Sequence, residues 1–332
     1  MSKTSKDMRK VEMLQNVRQT TNLRRVLLPI VVFLMIASCA PRDERATAVT
    51  NSEPLRAVAT FFPVADIVRQ VGGNHVSVET ILPPGGELHS FAPTAKQMKL
   101  LQHADVVFAL GLEAEPFLKT MLRGLGRRHP RVVELAEGCW KLPALAEHEH
   151  LHAHEEAHHE ELVDPHVWLS LRNAMRLAQN ARDTLVALDP AHADDYQRNA
   201  NRLITQLRDL RHILTERAKA WKQKKFIAAH GAYRYLAEEA GLEQVAVFEP
   251  LPGVEPSARW LRDLMDTARR ERVQVIFAAP PASSRLVEAV AADLGVPVFP
   301  LDPMEQTWNH TEESYQQRMM RNINALDRAM RR

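Results

Sequence analysis

Short apolar runs alternate with longer amphipathic stretches over most of this sequence, and that alternation limits the possible folds more than any other feature. The apolar runs, in chain order, are LRAVATFF, VSVETIL, ADVVFAL, RVVEL, KFIAAH, QVAVFEP, VQVIFAA and VPVFPLD. Their β-branched residues favour strands, and the stretches between them have helical spacing. We therefore predict an α/β fold built from βαβ units around mostly parallel sheets flanked by helices.

One amphipathic stretch is much longer than the others and divides the strand-like runs into two groups. It begins at Asp189-Pro190, a typical helix start, and its leucines recur at helical spacing as far as Leu214. At ~1.5 Å per residue, a helix of about 32 residues would measure ~48 Å, which is longer than one lobe is deep. We predict an N-terminal lobe over 55–189, a long rigid helix over 190–221, and a C-terminal lobe over 222–332.

The first part of the chain has the features of a lipoprotein signal peptide. A basic stretch precedes an apolar run from Val26 to Ala37, which at about 12 residues is too short to cross a ~30 Å hydrocarbon core comfortably. The following Ser38-Cys39 completes a match to the bacterial lipobox, in which the cysteine carries diacylglycerol. We predict a signal peptide over 1–38, lipidation of Cys39 and a flexible tether over 39–54. A cleaved signal with an unmodified cysteine is the alternative.

Charge and cysteine content narrow the possible functions. The formal net charge is only +2, so nothing indicates a protein dedicated to nucleic-acid binding. The chain has 2 cysteines, and lipidation of Cys39 would leave Cys139 without an intramolecular disulfide partner. We expect a soluble body, acting as a monomer, that is held to the periplasmic or extracytoplasmic face of a membrane by its lipid.

Polar residues that follow the strand-like runs are candidates for a binding site. In open parallel sheets, ligands bind beyond the carboxyl ends of the strands. His89 follows VSVETIL and a Pro-Gly turn, His166 lies in VDPHVWLS, His230 ends KFIAAH, and Asp302 ends VPVFPLD. Singly, each could be an ordinary loop residue. Together, three imidazoles and one carboxylate form a donor set that suits tetrahedral Zn²⁺.

A second group of histidines lies in a tract over 144–162 that lacks helical or strand periodicity. The tract contains His154-Glu155-Glu156-Ala157-His158, a formal match to the zinc-protease motif H-E-x-x-H, but it offers little apolar surface to bury such a helix. A solvated loop with no metal role is a second interpretation. We predict a third role, which is accessory weak capture of Zn²⁺ near the main site. The histidines concerned are His148, His150, His152, His154, His158 and His159.

Several of these motifs, taken in order, resemble one family. The stretches ETILPPGGELHSFAPTAKQM, DPHVWLSLRNAM, AAHGAYRYLAEEAGL, PGVEPSARWLRDLM and LDPM are similar to the periplasmic metal-binding components of zinc and manganese ABC transporters, the ZnuA/TroA-like proteins. The resemblance extends from Leu55 to the C-terminus. It implies two α/β lobes joined by one long helix, with a metal ion held between the lobes.

The resemblance also implies a ligand set and a partner. Matching the motifs one at a time gives His89, His166, His230 and Asp302 as the metal ligands. A histidine at position 230 is typical of zinc-type members. The implied function is capture of Zn²⁺ and its delivery to an ABC permease with its ATPase. A Mn²⁺-binding protein of the same family is the closest alternative, although Mn²⁺ prefers more oxygen donors.

A zinc-dependent hydrolase is the alternative from a different functional class. A catalytic zinc site keeps three protein ligands and an open position for water, whereas a closed site has four protein ligands. The sequence contains no evident nucleophile-base pair or phosphate-binding loop. We therefore expect a binding protein and not an enzyme.

Overall fold

Two parallel sheets and their flanking helices form the body of the protein. The computed structural model describes residues 53–126, 129–144, 163–249, 255–280, 284–307 and 313–332. The predicted signal peptide, Cys39 and all six histidines of the tract lie outside these residues. None of the described helices is long and apolar enough to cross a membrane.

Each apolar run of the sequence forms one strand, so the predicted α/β class is confirmed. The first sheet has the order β2-β1-β3-β4 and the second the order β6-β5-β7-β8, and all pairs are parallel. The strands are β1 (Leu55–Ala59), β2 (Val76–Thr80), β3 (Val106–Ala109), β4 (Arg131–Glu134), β5 (Lys225–Ala228), β6 (Glu243–Val247), β7 (Ile276–Ala278) and β8 (Val298–Pro300).

Helices cover the sheets, which explains why the central strands contain almost no polar residues. In both sheets the chain first builds to one side of the opening strand and then to the other, so a crevice forms at the carboxyl ends. The helices are α1 (Phe62–Gly72), α2 (Ala95–Gln102), α3 (Pro116–Leu125), α4 (Leu171–Leu188), α5 (Ala193–Ala218), α6 (Arg234–Glu239), α7 (Ala258–Arg270), α8 (Arg285–Leu294) and α9 (Tyr315–Met330).

The long helix α5 is shorter than predicted. It has 26 residues, and a 3₁₀ turn over Pro190–His192 precedes it. Asp189 does not cap this helix, because its carboxylate accepts hydrogen bonds from His192 Nδ1 and Tyr196 Oη, both at 2.6 Å. At the other end, Trp221 lies beyond the helix and is held by a hydrogen bond from its Nε1 to Asp327 Oδ1. The predicted apolar stripe is buried as expected.

The last helix, α9, belongs by residue number to the range 222–332 that was predicted as the C-terminal lobe, but it contacts both lobes. The backbone N–H of Tyr315 donates to Asp66 Oδ2 in α1 at 2.8 Å, and Tyr315 Oη donates to the carbonyl of Trp168 at 2.5 Å. The other end of α9 accepts hydrogen bonds from the backbone of Lys222 and Gln223. The C-terminal segment therefore connects the lobes a second time, in addition to α5.

Candidate metal centre

His89 is presented by a tight turn that follows β2. Gly86 donates its backbone N–H to the carbonyl of Pro83 at 2.9 Å, and Gly85 has a φ of +73°, a conformation that favours glycine. Gly85 also donates its N–H to the carbonyl of Thr307 at 3.0 Å, so the loop of His89 contacts the loop that follows β8. The His89 side chain is 24% exposed.

His166 is buried and held in a single orientation by Asp164. The imidazole Nδ1 donates to Asp164 Oδ1 at 2.7 Å, and the same oxygen accepts the backbone N–H of His166 at 3.0 Å. Arg234 lies 3.6 Å from the other oxygen of Asp164. Because Nδ1 is engaged, Nε2 is the ring nitrogen left for a ligand, as in the carboxylate–histidine pairs that support metal sites.

His230 lies two residues after the end of β5 and precedes a 3₁₀ turn over Gly231–Tyr233. Its Nε2 donates to Glu305 Oε1 at 2.9 Å. The same oxygen lies 3.5 Å from His166 Nε2 and 3.8 Å from His89 Nε2. The three predicted histidines therefore meet at one carboxylate, which is the side chain of Glu305.

The carboxylate that lies beside the three histidines is that of Glu305, whereas the sequence predicted that of Asp302. Both oxygens of Asp302 accept hydrogen bonds from Arg318, each at 2.7 Å, and Oδ1 also accepts the N–H of Met304. Asp302 is therefore engaged away from the histidines. Glu305 lies where Asp302 was predicted to lie, because the loop after β8 turns at Met304, which has a φ of +59°.

Among the residues that the structure describes, a single group of side chains could hold a metal ion: His89, His166, His230 and Glu305. One possible ligand atom from each lies within 4.8 Å of all the others. Ligands ~2.0–2.2 Å from a tetrahedral Zn²⁺ lie about 3.3–3.6 Å apart, so the most widely separated pair would approach by at most about 1.5 Å on binding. His89 Nε2 and His166 Nε2 are buried without a hydrogen-bond partner. Buried polar groups normally have a partner, so these two nitrogens fit the role of metal ligands.

Charges around His166 make the cluster sensitive to protons. Burial lowers the pKa of His166, but Asp164 and Glu305 together outweigh burial and raise this pKa to about 9. Burial raises the pKa of Glu305, but the charge of His230 and the contacts of all three imidazoles with the carboxylate outweigh burial and hold this pKa well below its usual value. At neutral pH the metal-free cluster thus contains an ionised Glu305 and a protonated His166.

Sequence reasoning missed Glu305 although a signal was present. The loop after β8 reads Leu-Asp-Pro-Met-Glu, and it contains two acidic residues within four positions. The rule that ligands follow strand ends selected the first of them, Asp302. Which carboxylate enters the cleft depends on the turn at Met304 and on Arg318, a residue of α9.

Comparison with known proteins agrees with this architecture. The zinc-binding lipoprotein AdcA of Streptococcus pneumoniae is 33% identical over 276 residues, which are 82% of this chain and 55% of AdcA. The high-affinity zinc uptake system protein ZnuA of Bacillus subtilis is 29% identical over 297 residues, or 89% of this chain and 93% of that protein. The crystal structure of the Zn(II)-bound ZnuA-like domain of S. pneumoniae AdcA matches with a TM-score of 0.70 at 29% identity, covering 84% of this chain and 100% of that domain.

These matches cover most of this chain. The chain spans about half the length of AdcA, 55%, and corresponds to its ZnuA-like part. A family model described as the periplasmic component A of the zinc-uptake complex matches residues 57–329, which include every residue of the cluster and both sheets except the first two residues of β1. The chain is therefore a member of the zinc-uptake complex component A family.

Proposed function

We propose that this protein captures one Zn²⁺ ion as cargo between its lobes and delivers it to an ABC permease. The observation that carries the proposal is the convergence of His89, His166, His230 and Glu305, with two imidazole nitrogens buried and unpaired. His89 and His166 belong to the N-terminal lobe, and His230 and Glu305 belong to the C-terminal lobe. Opening of the lobes would therefore separate the ligands and release the ion. Membership of the zinc-uptake family supports this function.

The donor set favours Zn²⁺ over Mn²⁺. Three imidazoles and one carboxylate suit Zn²⁺, whereas Mn²⁺ prefers sites with more oxygen donors. Cu²⁺ and Ni²⁺ also bind imidazole strongly, so selectivity in the cell depends on which ions are available as well as on the site. Four protein ligands would close the coordination shell, and a closed shell leaves no position for the activated water of a zinc hydrolase.

The proposed location follows from the N-terminal sequence. We infer that residues 1–38 are removed, that Cys39 carries the lipid, and that the segment to residue 54 tethers the body to the membrane surface. The name of AdcA, a zinc-binding lipoprotein, supports this inference. Such an anchor would keep the protein close to its permease on the periplasmic or extracytoplasmic side.

Growth under metal limitation tests the proposal directly. Deletion of the gene should slow growth in zinc-depleted medium, and added Zn²⁺ should restore it. Protein isolated from its native compartment should contain about one tightly bound zinc per chain, consistent with one four-ligand site. Restoration of growth by Mn²⁺ but not by Zn²⁺ would overturn the metal assignment.

Removal of the histidine tract should leave the main site intact. We expect a variant lacking residues 144–161 to retain one tight Zn²⁺ and to lose only weaker additional binding, because the four clustered residues lie outside this segment. Equilibrium dialysis at increasing zinc concentrations measures both classes of site. Loss of the tight site after the deletion would instead place the working ligands in the tract.

A further inference from the structure

Asp302 and Arg318 form a buried ion pair beside the candidate metal centre. Their side chains are 7% and 3% exposed, and both carboxylate oxygens of Asp302 accept from the guanidinium. A buried ion pair is weak evidence for stability, since apolar replacements of similar volume are often neutral or stabilising. The pair therefore calls for an explanation other than its contribution to folding.

The pair holds both ends of the short loop that carries Glu305. Arg318 binds the Asp302 side chain with Nε and Nη2, and its Nη1 donates to the carbonyl of Gln306 at 2.8 Å. Asp302 Oδ1 accepts the N–H of Met304, which is fully buried and has a left-handed backbone uncommon outside glycine. Glu305 lies between these attachments, so its position depends on them.

The same loop is also attached to the N-terminal lobe, from which two of the histidines come. Trp168 Nε1 donates to the carbonyl of Pro303 at 2.8 Å. The guanidinium of Arg318 lies over the Phe62 ring, 4.3 Å from its centroid. Arg318 therefore links the loop of Glu305 to the first residue of α1, within the lobe that holds His89 and His166.

The pair also neutralises one of the two carboxylates of the loop. Asp302 and Glu305 are both buried, and two free carboxylates so close together would repel each other. Arg318 neutralises Asp302, with Arg321 lying 4.0 Å from it as a second, half-exposed cation. Within the part of the chain that the structure describes, the side chains that pair with the Glu305 carboxylate are those of His89, His166 and His230.

We propose that the Asp302–Arg318 pair is a positioning device that holds Glu305 in place as the fourth ligand of the cargo ion. This inference rests on the proposed zinc-binding function. It assigns Asp302 a role without contact to the metal. Supporting groups of this kind typically change metal affinity by ~10–100-fold when they are removed.

A double-mutant cycle distinguishes positioning from a general contribution to stability. We would combine Asp302→Asn with Arg318→Met, which removes both charges while keeping similar shapes, and measure Zn²⁺ affinity by chelator competition. The expected loss is about 10–100-fold. In a Glu305→Ala background the same pair of substitutions should change affinity by less than about twofold, because its effect acts through Glu305.

Co²⁺ gives a second measurement that a purely structural role would not alter. Four-coordinate Co²⁺ absorbs visible light more strongly than Co²⁺ with extra water ligands, so the pair variant should show a weaker band, as should Glu305→Ala. The control is Asp327→Asn with Arg331→Met, the same chemical change at the far end of α9, where the two side chains are 2.7 Å apart. This control should retain wild-type affinity and spectrum.

The outcomes separate the two proposals. If the pair substitutions reduce Zn²⁺ affinity equally in the wild-type and Glu305→Ala backgrounds, or do not reduce it at all, the positioning role is overturned. The proposed zinc binding would be unaffected by that result. Failure of the unmodified protein to bind Zn²⁺ overturns both. If the pair variant does not fold by circular dichroism, Arg318→Lys replaces it in the cycle, because lysine keeps the charge but cannot form the same fork of hydrogen bonds. The loss of Zn²⁺ affinity caused by Arg318→Lys should likewise disappear in the Glu305→Ala background.

Discussion

Replacing His230 with alanine should weaken Zn²⁺ binding by more than about a hundredfold, since even residues that only support a ligand cost ~10–100-fold. His230 is the histidine closest to Glu305, at 2.9 Å, and its loss leaves the cluster open to water. Affinity measured by chelator competition should therefore fall sharply, and the stabilisation of the folded protein by zinc should fall with it.

Thermal unfolding with and without zinc measures that second effect. A ligand that binds only the folded state adds RT ln(1 + [L]/Kd), about 4 kcal/mol at a thousandfold excess over Kd and about 1.4 kcal/mol after a hundredfold loss of affinity. At ~2–4 °C per kcal/mol, the zinc-induced rise in Tm should drop from roughly 8–16 °C to roughly 3–6 °C.

Two histidine variants provide controls for this result. His154→Ala changes the tract, and His192→Ala removes an imidazole that pairs with Asp189 away from the cluster. Both should keep the full zinc-induced rise in Tm. If His154→Ala proved as damaging as His230→Ala, the crowded tract would be the working site and the cluster a structural feature.

Zinc affinity should rise by at least about tenfold for each pH unit between pH 6 and pH 8, because binding displaces a proton from His166. The pKa of this imidazole is raised to about 9 by Asp164 and Glu305 against the opposing effect of burial. Below that pH the metal-free ring is protonated, and zinc requires its neutral form. Glu305 stays ionised throughout this range, because its pKa is held well below the usual value. It therefore releases no proton when zinc binds.

Calorimetry in buffers of different ionisation enthalpy counts the protons. At pH 7 we expect about one proton or more to be released for each Zn²⁺ bound. Asp164→Asn removes the carboxylate 2.7 Å from His166 Nδ1, so the pKa of His166 should fall and fewer protons should be released. Binding without proton release in the unmodified protein would show that His166 is already neutral at pH 7.

The class of fold and the positions of the strands could be predicted because they depend on local patterns. A parallel strand covered by helices on both faces reads as an uninterrupted apolar run, and β3, with all four residues buried, is the clearest case. The helix α5 could be recognised from its buried leucine stripe. Its start was predicted less well, because Asp189 binds His192 and Tyr196 instead of capping the helix.

The sequence by itself determined two α/β lobes, a long connecting helix and the three candidate histidines, since each of these follows from periodicity or from position relative to recognisable motifs. Only the tertiary structure decided that Glu305 and not Asp302 joins those histidines. That choice depends on Arg318, which is 16 positions from Asp302 along the chain but bound to both of its oxygens. A carboxylate that is already paired is unavailable to a metal, and such pairing is a property of packed helices and loops that no local pattern records.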